Sequence, residues 1–221
     1  MAIGAAISVV VGLLFWPRGA RRELARGIAG FYRAVGTYLD HAFDRVLGIE
    51  EAGGADAARG LTIQARDRAA EAFDAFLNEK APSPLDPQTA GSLLSAGNQV
   101  LLAADLLDVV SGRMGYEATG CPDGARTVHE QVGTLLAAFL RLADQLAFGE
   151  LKQDSARVSP QALRGAALQC LGHWRTDDQA GRGAPAVVIA AEWVQNLARL
   201  EDGLDGPVAV AVAAARAPWW R

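Results

Sequence analysis

The sequence predicts an all-α protein in which one partial N-terminal transmembrane helix is followed by an antiparallel cytoplasmic helical bundle. Residues 2–16 carry no charge and are followed at once by Arg18, Arg21 and Arg22. Apolar residues then recur through most of the chain at the three-and-four spacing of amphipathic helices. We therefore expect a membrane helix over residues 1–17 and a bundle domain over residues 18–221.

The length of the apolar segment leaves several interpretations open. At about 1.5 Å per residue, residues 1–16 cover about 24 Å, whereas a bilayer core of about 30 Å takes roughly 20 residues to cross. The segment is a span whose first turns are missing from this chain, a tilted or thinned-bilayer contact, or a secretory signal. A signal carries its positive charges before the apolar core, and here they follow it. A buried core helix is the remaining alternative.

Small residues mark one face of this segment. Gly4, Ser8 and Gly12 are four apart, a spacing that lets helix backbones approach closely in lipid. We expect this face to pack against another helix. Because the chain has no second charge-free apolar run of this length, the partner would be another copy in a homo-oligomer or a separately encoded membrane subunit.

The residues that follow the segment predict its orientation. Trp16 suits the headgroup level of a lipid bilayer, and Arg18, Arg21, Arg22 and Arg26 make the next stretch strongly basic. Each basic side chain near an anionic leaflet gains about 1 kcal/mol. The predicted location is therefore the bacterial inner membrane, with the bulk of the chain in the cytoplasm.

Composition restricts the classes of function. With 221 residues, of which 51% are hydrophobic, the chain can bury one sizeable core. A net charge of -4 gives no reason to expect nucleic-acid binding. Cys121 and Cys170 are the two cysteines of the chain and make no disulfide framework, and we expect them to be buried, inert thiols.

Apolar periodicity predicts the first two helices of the bundle. Residues 18–47 repeat apolar side chains at helical spacing and stop at Gly48. A shorter helix covers residues 61–78, with Phe73, Phe76 and Leu77 as its expected core contacts.

The third and fourth helices have the clearest signals. Asp86 before Pro87 offers an acceptor to free amide groups and presets the first backbone angle of the third. That helix continues to Gly112 or Gly115 through the apolar residues Leu93, Leu94, Leu101, Leu102, Leu106, Val109 and Val110. The fourth helix follows residues 121–124, and its regular face is expected to be buried: Val128, Val132, Leu135, Leu136, Phe139, Leu142, Ala143 and Leu146.

Proline also marks the remaining helices. Ser159 before Pro160 starts a fifth helix that runs through Trp174, and Pro185 opens a sixth that runs through Leu200. Residues 208–212 alternate valine with alanine, which fits strand or helix by periodicity alone. Helix is favoured because no second candidate strand exists to pair with it.

The sequence contains no recognisable catalytic motif. His129 lacks a second histidine four residues further on, so the zinc-protease motif is absent. Asp40 with Asp44, and Asp105 with Asp108, lie at one-turn spacing, but the glutamate-histidine pairs of di-metal bundles are missing. We predict no catalytic residue, no metal and no cofactor, and a protein that is not an enzyme.

The junction between the apolar segment and the bundle resembles a known family. Residues 12–19 read GLLFWPRG and lead directly into an arginine-rich amphipathic helix. Its apolar positions include Leu24, Phe31, Tyr32, Tyr38 and Leu39. Over residues 1–48 this pattern is similar to bacterial membrane proteins of the fusaric acid resistance and aromatic acid exporter (FUSC) type. In that family, blocks of membrane helices alternate with helical cytoplasmic domains.

The resemblance implies a role for this chain. It would be the C-terminal part of an exporter-like protein, with the last membrane helix and a cytoplasmic domain, for efflux of small aromatic or organic acids. It would not be transport-competent alone. Two other functions stay open: a membrane-tethered helical adaptor or scaffold, whose long apolar faces bind another protein, and a soluble helical bundle with a buried first helix.

Charge reversal tests the predicted orientation. Replacing Arg18, Arg21, Arg22 and Arg26 with glutamate should weaken retention of the bundle on the cytoplasmic side, because basic flanking residues set the orientation of a membrane helix. A compartment-specific reporter at the C-terminus measures the change. An unchanged location in the quadruple variant would remove the main support for this orientation.

Overall fold

The computed structural model describes residues 20–49, 54–79, 84–114, 121–150, 156–174 and 183–216. Within these ranges the chain forms seven helices and no strand. The helices are α1 (Ala20–Leu47), α2 (Ala55–Leu77), α3 (Pro87–Met114), α4 (Pro122–Phe148), α5 (Pro160–Trp174), α6 (Ala184–Asp202) and α7 (Asp205–Arg216). The all-helical prediction is confirmed for this part of the chain. Residues 208–212, whose periodicity fits either a strand or a helix, lie in helix α7.

The capping signals identified two helix starts correctly. The backbone N–H of Thr89 donates to Oδ1 of Asp86 at 2.8 Å. The N–H of Ala162 donates to Oγ of Ser159 at 3.2 Å. In each case a side-chain oxygen satisfies an amide group that has no partner within its own helix, and the helix begins at the proline that follows the cap.

Helix α2 begins at Ala55, well before the predicted start at residue 61. Its buried face consists mainly of small residues: Ala55, Ala58, Thr62, Ala65, Ala69 and Ala72. A search for large apolar side chains does not detect such a face. Phe76 is buried as predicted, but the prediction for Leu77 is wrong, because that side chain is 49% exposed.

Helix α1 is the centre of the bundle and contacts α2, α3 and α4. Phe31, Val35, Leu39 and Phe43 are completely buried along its length. Because four buried large side chains follow one another over three turns, α1 contributes the largest part of the apolar core.

Hydrogen bonds between helices show their relative directions. Oγ1 of Thr62 donates to the carbonyl of Ala34 at 3.0 Å, and a Cβ placed on Gly27 would lie 3.2 Å from Cα of Ala69. Residue numbers therefore increase along α1 in the direction in which they decrease along α2, so these two helices are antiparallel.

Helix α3 runs in the same direction as α1. The hydroxyl of Tyr32 donates to the carbonyl of Leu93 at 2.8 Å, and the hydroxyl of Tyr38 donates to Oδ1 of Asp105 at 2.9 Å. First and third helices are also parallel in an up-and-down bundle, so this direction agrees with an antiparallel order, which for the bundle as a whole stays a prediction.

The apolar residues that predicted α3 are not all buried. Leu102, Leu106 and Val109 are exposed. The packed side of the helix instead carries Leu93, Ala96, Val100, Ala103, Ala104 and Leu107. Both sides of α3 are apolar, so the sequence pattern does not distinguish the buried side from the exposed one.

By length and hydropathy alone, residues Pro87–Gly112 of α3 would suffice to cross a membrane. Among the described residues, this is the single helix that meets those criteria. Its two aspartates form ion pairs with other helices of the bundle: Asp105 with Arg59 at 2.7 Å, and Asp108 with Arg45. Charged groups are costly inside lipid, so we interpret α3 as a helix of the bundle.

Cys121 and Cys170 form a disulfide bond, so the prediction of inert free thiols is wrong. The bond joins the residue before α4 to α5 across 49 positions of the sequence, with a Cα–Cα distance of 5.7 Å. Gly124 makes room for it, because a Cβ at that position would overlap Sγ of Cys170. Sequence spacing gives no sign of this pairing, because α4 must first fold back against α5.

Reduction of the disulfide should destabilise the protein. Closing a loop of 49 positions restricts the unfolded chain, and loss of that restriction costs about 2 to 4 kcal/mol. Chemical denaturation with and without dithiothreitol measures the loss. The Cys121→Ala/Cys170→Ala variant is the control, since reductant should leave its stability unchanged. Equal stability of the oxidised and reduced natural chain would contradict the assignment of a structural bond.

Candidate functional site

The beginning of α1, the end of α4 and the end of α7 meet at one end of the bundle. Between them lies a cleft of about 230 Å³, which we call the basic cleft. Its charged and aromatic lining consists of Arg22, Arg26, Phe148 and Arg216. Among these residues are three arginines, so the cleft has a strong positive charge.

Local structure explains why these side chains come together. Arg22 and Arg26 are four apart and therefore share one face of α1. Nε of Arg22 donates to the carbonyl of Ala215 at 3.4 Å, which connects the first turn of α1 to the last turn of α7.

Gly149 ends α4 and opens the cleft. Its φ of 75° lies in the left-handed region that favours glycine, and its N–H donates to the carbonyl of Gln145 at 2.8 Å. The side chain of Arg216 crosses this glycine closely, since a Cβ there would lie 3.2 Å from Nε of the arginine. A larger residue at this position would push Arg216 away.

The charges in the cleft do not cancel. The C-termini of α4 and α7 each contribute a negative partial charge of about half a unit. Glu23 adds one carboxylate, 3.9 Å from Nη1 of Arg26. Three guanidinium groups outweigh these negative contributions, so the cleft keeps a net positive charge.

An exposed aromatic ring borders the arginines. Phe148 is 73% exposed, the largest exposure among the large apolar side chains in the described part of the chain. The guanidinium carbon of Arg33 lies 5.8 Å from the centre of its ring. Nη2 of Arg33 also donates to Oδ1 of Asp144 at 2.7 Å, which fixes the arginine beside the ring.

The structure brings together part of the predicted interface. Arg21, Arg22 and Arg26 lie in the first two turns of α1, and of these Arg22 and Arg26 line the cleft. Nη1 of Arg21 is buried without a hydrogen-bond partner among the described residues. The other predicted interface and packing residues lie outside the described ranges: Gly4, Ser8, Gly12, Trp16 and Arg18.

Sequence reasoning missed two members of the site. Arg216 lies far along the chain from Arg22, but it precedes the sequence APWWR, whose tryptophans and arginine resemble a membrane-interface composition. That composition could have drawn attention to the C-terminal segment. Phe148 gives no such signal, because it follows the last buried turn of α4 and its exposure depends on where that helix ends.

The acidic pairs noted in the sequence serve other contacts. Asp105 and Asp108 bind arginines of α2 and α1, and Oδ1 of Asp44 lies 3.1 Å from Nδ1 of His129. In the part of the chain that the structure describes, no group of three or more histidine, cysteine or acidic side chains could hold a metal ion.

A second polar cluster holds α6 and the start of α7 against α4. Nη2 of Arg141 donates to Oε1 of Glu201 at 2.5 Å, and Nη1 donates to Oδ1 of Asp205 at 3.1 Å. Burial raises the pKa of Glu201, because desolvation disfavours its charged form, while the charge of Arg141 opposes the shift. Asp205 is the first residue of α7, so this cluster fixes the start of the helix that ends at Arg216.

A second groove lies between α5 and α6, with a volume of about 500 Å³. Leu168, Leu171 and Val188 line it, and Arg164 and Glu192 lie on its sides. Nothing in the structure shows what covers this groove, and we assign it no ligand.

Comparisons with known proteins identify no relative of this chain. No family model, no curated protein and no solved structure matches it. The geometry of the basic cleft is therefore the basis for a functional proposal.

The raised pKa of Glu201 predicts a pH-dependent stability. In the folded protein this carboxyl keeps its proton to higher pH than in the unfolded chain. The natural chain should therefore lose stability, relative to Glu201→Gln, as pH rises from the ordinary glutamate pKa through the raised value.

Urea denaturation at several pH values measures this difference. The control is Glu192→Gln, which removes an exposed glutamate from the same helix and shows the general effect of losing one carboxyl group. A difference between the natural chain and Glu201→Gln that stayed constant with pH would contradict the assigned cause.

Proposed function

We propose that this chain is a membrane-anchored helical domain whose basic end lies against anionic lipid headgroups. One observation carries the proposal: Arg22, Arg26 and Arg216 line one cleft beside the exposed ring of Phe148. Basic and aromatic side chains together are typical of surfaces at the membrane interface.

The position of the cleft in the chain supports the same orientation. It forms around the first turns of α1, which begins at Ala20, shortly after the uncharged residues 2–16. If those residues enter the bilayer, the cleft is the part of the bundle that comes nearest to the headgroups.

The opposite end of the bundle has a different charge pattern. Arg45 pairs with Asp108, and Arg59 pairs with Asp105. From Arg22 to Leu47, α1 rises about 38 Å, several times the Debye length of about 8 Å at physiological ionic strength. An anionic membrane would therefore attract the cleft end while the paired charges of the other end lie beyond its field.

The exporter-like role rests on the resemblance of residues 1–48 and belongs to the same proposal. In it, this chain contributes a membrane helix and a cytoplasmic domain to an assembly with further copies or with a separately encoded membrane subunit. A single charge-free apolar segment lines no pathway, so transport would require the assembly.

Two features bear on the side of the membrane. The arginines that follow Trp16 favour the cytoplasm. The disulfide between Cys121 and Cys170 favours an oxidising compartment, where such bonds form and persist. The cytoplasmic location stays a prediction, and the disulfide is evidence against it. Contact between the basic end and lipid does not depend on which side of the membrane the bundle occupies.

Photo-crosslinking tests the proposed orientation. A benzoylphenylalanine in place of Phe148 should crosslink to lipid in vesicles that contain the full chain, because Phe148 lies beside the arginines. The same probe in place of Ile49 is the control, since that residue is half exposed just beyond the far end of α1. The measured quantity is the amount of lipid attached to each variant.

Lipid attachment at Phe148 but not at Ile49 is the expected result. Equal attachment at both positions, or attachment at Ile49 alone, would overturn the proposal. Retention of the chain in membranes after an alkaline wash is a second requirement, since a chain without an anchor would be released.

A further inference from the structure

We propose that the basic cleft is a specific site for the phosphodiester of an anionic lipid headgroup. This inference rests on the proposed function and adds a defined ligand to it. General attraction to a negative surface needs only net charge, whereas a site needs several donors around one space.

Three arginines line the same cleft. Arg22 and Arg26 project from one face of α1, and Arg216 reaches the same space from the end of α7. Guanidinium groups present a planar fork of N–H donors that matches phosphate oxygens, often in pairs. Because the arginines come from opposite ends of the described chain, their meeting depends on the folded structure rather than on a basic run in the sequence.

The fold restrains Arg22 and leaves room for Arg216. Arg22 is hydrogen bonded to the carbonyl of Ala215, and Arg216 passes over Gly149, where the missing Cβ leaves space for it. These contacts occupy only part of each guanidinium group, which has five N–H donors. Among the described residues, no further hydrogen bond occupies the other donors of Arg22 and Arg216, which leaves them open to oxygen atoms of a ligand.

The size of the cleft restricts the ligand. A volume of about 230 Å³ is below the roughly 300 to 1,000 Å³ of pockets that enclose a drug-sized molecule. It equals the volume of about seven or eight waters at roughly 30 Å³ each. A headgroup phosphate with its glycerol fits this range, while the attached acyl chains would remain outside.

Charge and surroundings distinguish among phosphate-containing ligands. A zwitterionic headgroup would bring a quaternary ammonium close to three arginines, whose repulsion Glu23 and the two helix C-termini reduce only in part. An anionic headgroup such as phosphatidylglycerol carries no such cation. The exposed ring of Phe148 adds an apolar surface at the edge of the cleft, which suits a ligand attached to hydrocarbon better than a free ion.

Lipid competition tests the site in the full chain. Protein in a neutral detergent is incubated with equal amounts of phosphatidylglycerol and phosphatidylcholine, and native mass spectrometry measures the lipid retained. We expect several-fold more phosphatidylglycerol than phosphatidylcholine. Arg216→Gln should lower the retained phosphatidylglycerol about tenfold, the effect of losing one charge-assisted hydrogen bond.

Matched variants separate a site from general charge. Arg199→Gln removes the same charge from an exposed position on α6, where Nη1 contacts Oδ1 of Asn196, and should retain lipid like the natural chain. Arg22→Gln is a second variant in the cleft, in case Arg216→Gln disturbs the end of α7. Equal losses in Arg216→Gln, Arg22→Gln and Arg199→Gln, or no loss in either cleft variant, would overturn the inference.

A titration with inorganic phosphate tests whether the site prefers a lipid headgroup to a free anion. Titration with inorganic phosphate alone, followed by phosphorus NMR, should show much weaker binding than the lipid. Phosphate bound as tightly as phosphatidylglycerol would overturn the assignment of a lipid ligand.

Failure of this inference differs from failure of the proposed function. If the probe at Phe148 attaches to lipid but Arg216→Gln and Arg22→Gln retain lipid normally, the basic end contacts the membrane without a specific site. If the probe attaches to no lipid, the membrane orientation itself is wrong.

Discussion

The structure depends on the burial of α1 by three neighbouring helices. Its large side chains, among them Phe31, Tyr32 and Phe43, lie between α2, α3 and α4 and have almost no exposed surface. Such burial requires helices to approach from three sides at once, and small residues make this close approach feasible. On α2 the contact consists mainly of alanines, and on α3 Gly97 lies where any Cβ would overlap the ring of Phe31.

The same burial positions the basic cleft. With the middle of α1 enclosed, its first turns come beside the last turns of α4 and α7, and the arginines of α1 lie next to carbonyl groups at helix ends. Cations at such positions are favourable because they offset the negative ends of helix dipoles. The excess of guanidinium groups over these partial charges distinguishes a candidate ligand site from ordinary helix capping.

Sequence patterns predicted the helices better than their mutual packing. Caps at Asp86 and Ser159 work through local hydrogen bonds, so a few neighbouring residues suffice to identify them. The buried side of α3 could not be read from the sequence because both of its sides are apolar. The alanine face of α2 was missed because its packing depends on close backbone approach rather than on side-chain size.

In the candidate site, too, the sequence indicated the residues with local signals but not those placed by long-range packing. Arg22 and Arg26 stood out because they are neighbours in a basic run beside an apolar segment. Arg216 and Phe148 could not be assigned to that site, because each comes from a helix end whose position is set by long-range contacts. The disulfide belongs to this second class, since Cys121 and Cys170 meet only when α4 packs against α5.

The covalent bond between Cys121 and Cys170 also changes how the chain responds to proteases. A single cut anywhere between these residues leaves both pieces in one molecule, because the ring that they close is opened rather than divided. Two fragments then separate only after a reducing agent is added. Fragment patterns on gels run with and without reductant would therefore differ for this protein even when the number of cleaved peptide bonds is the same.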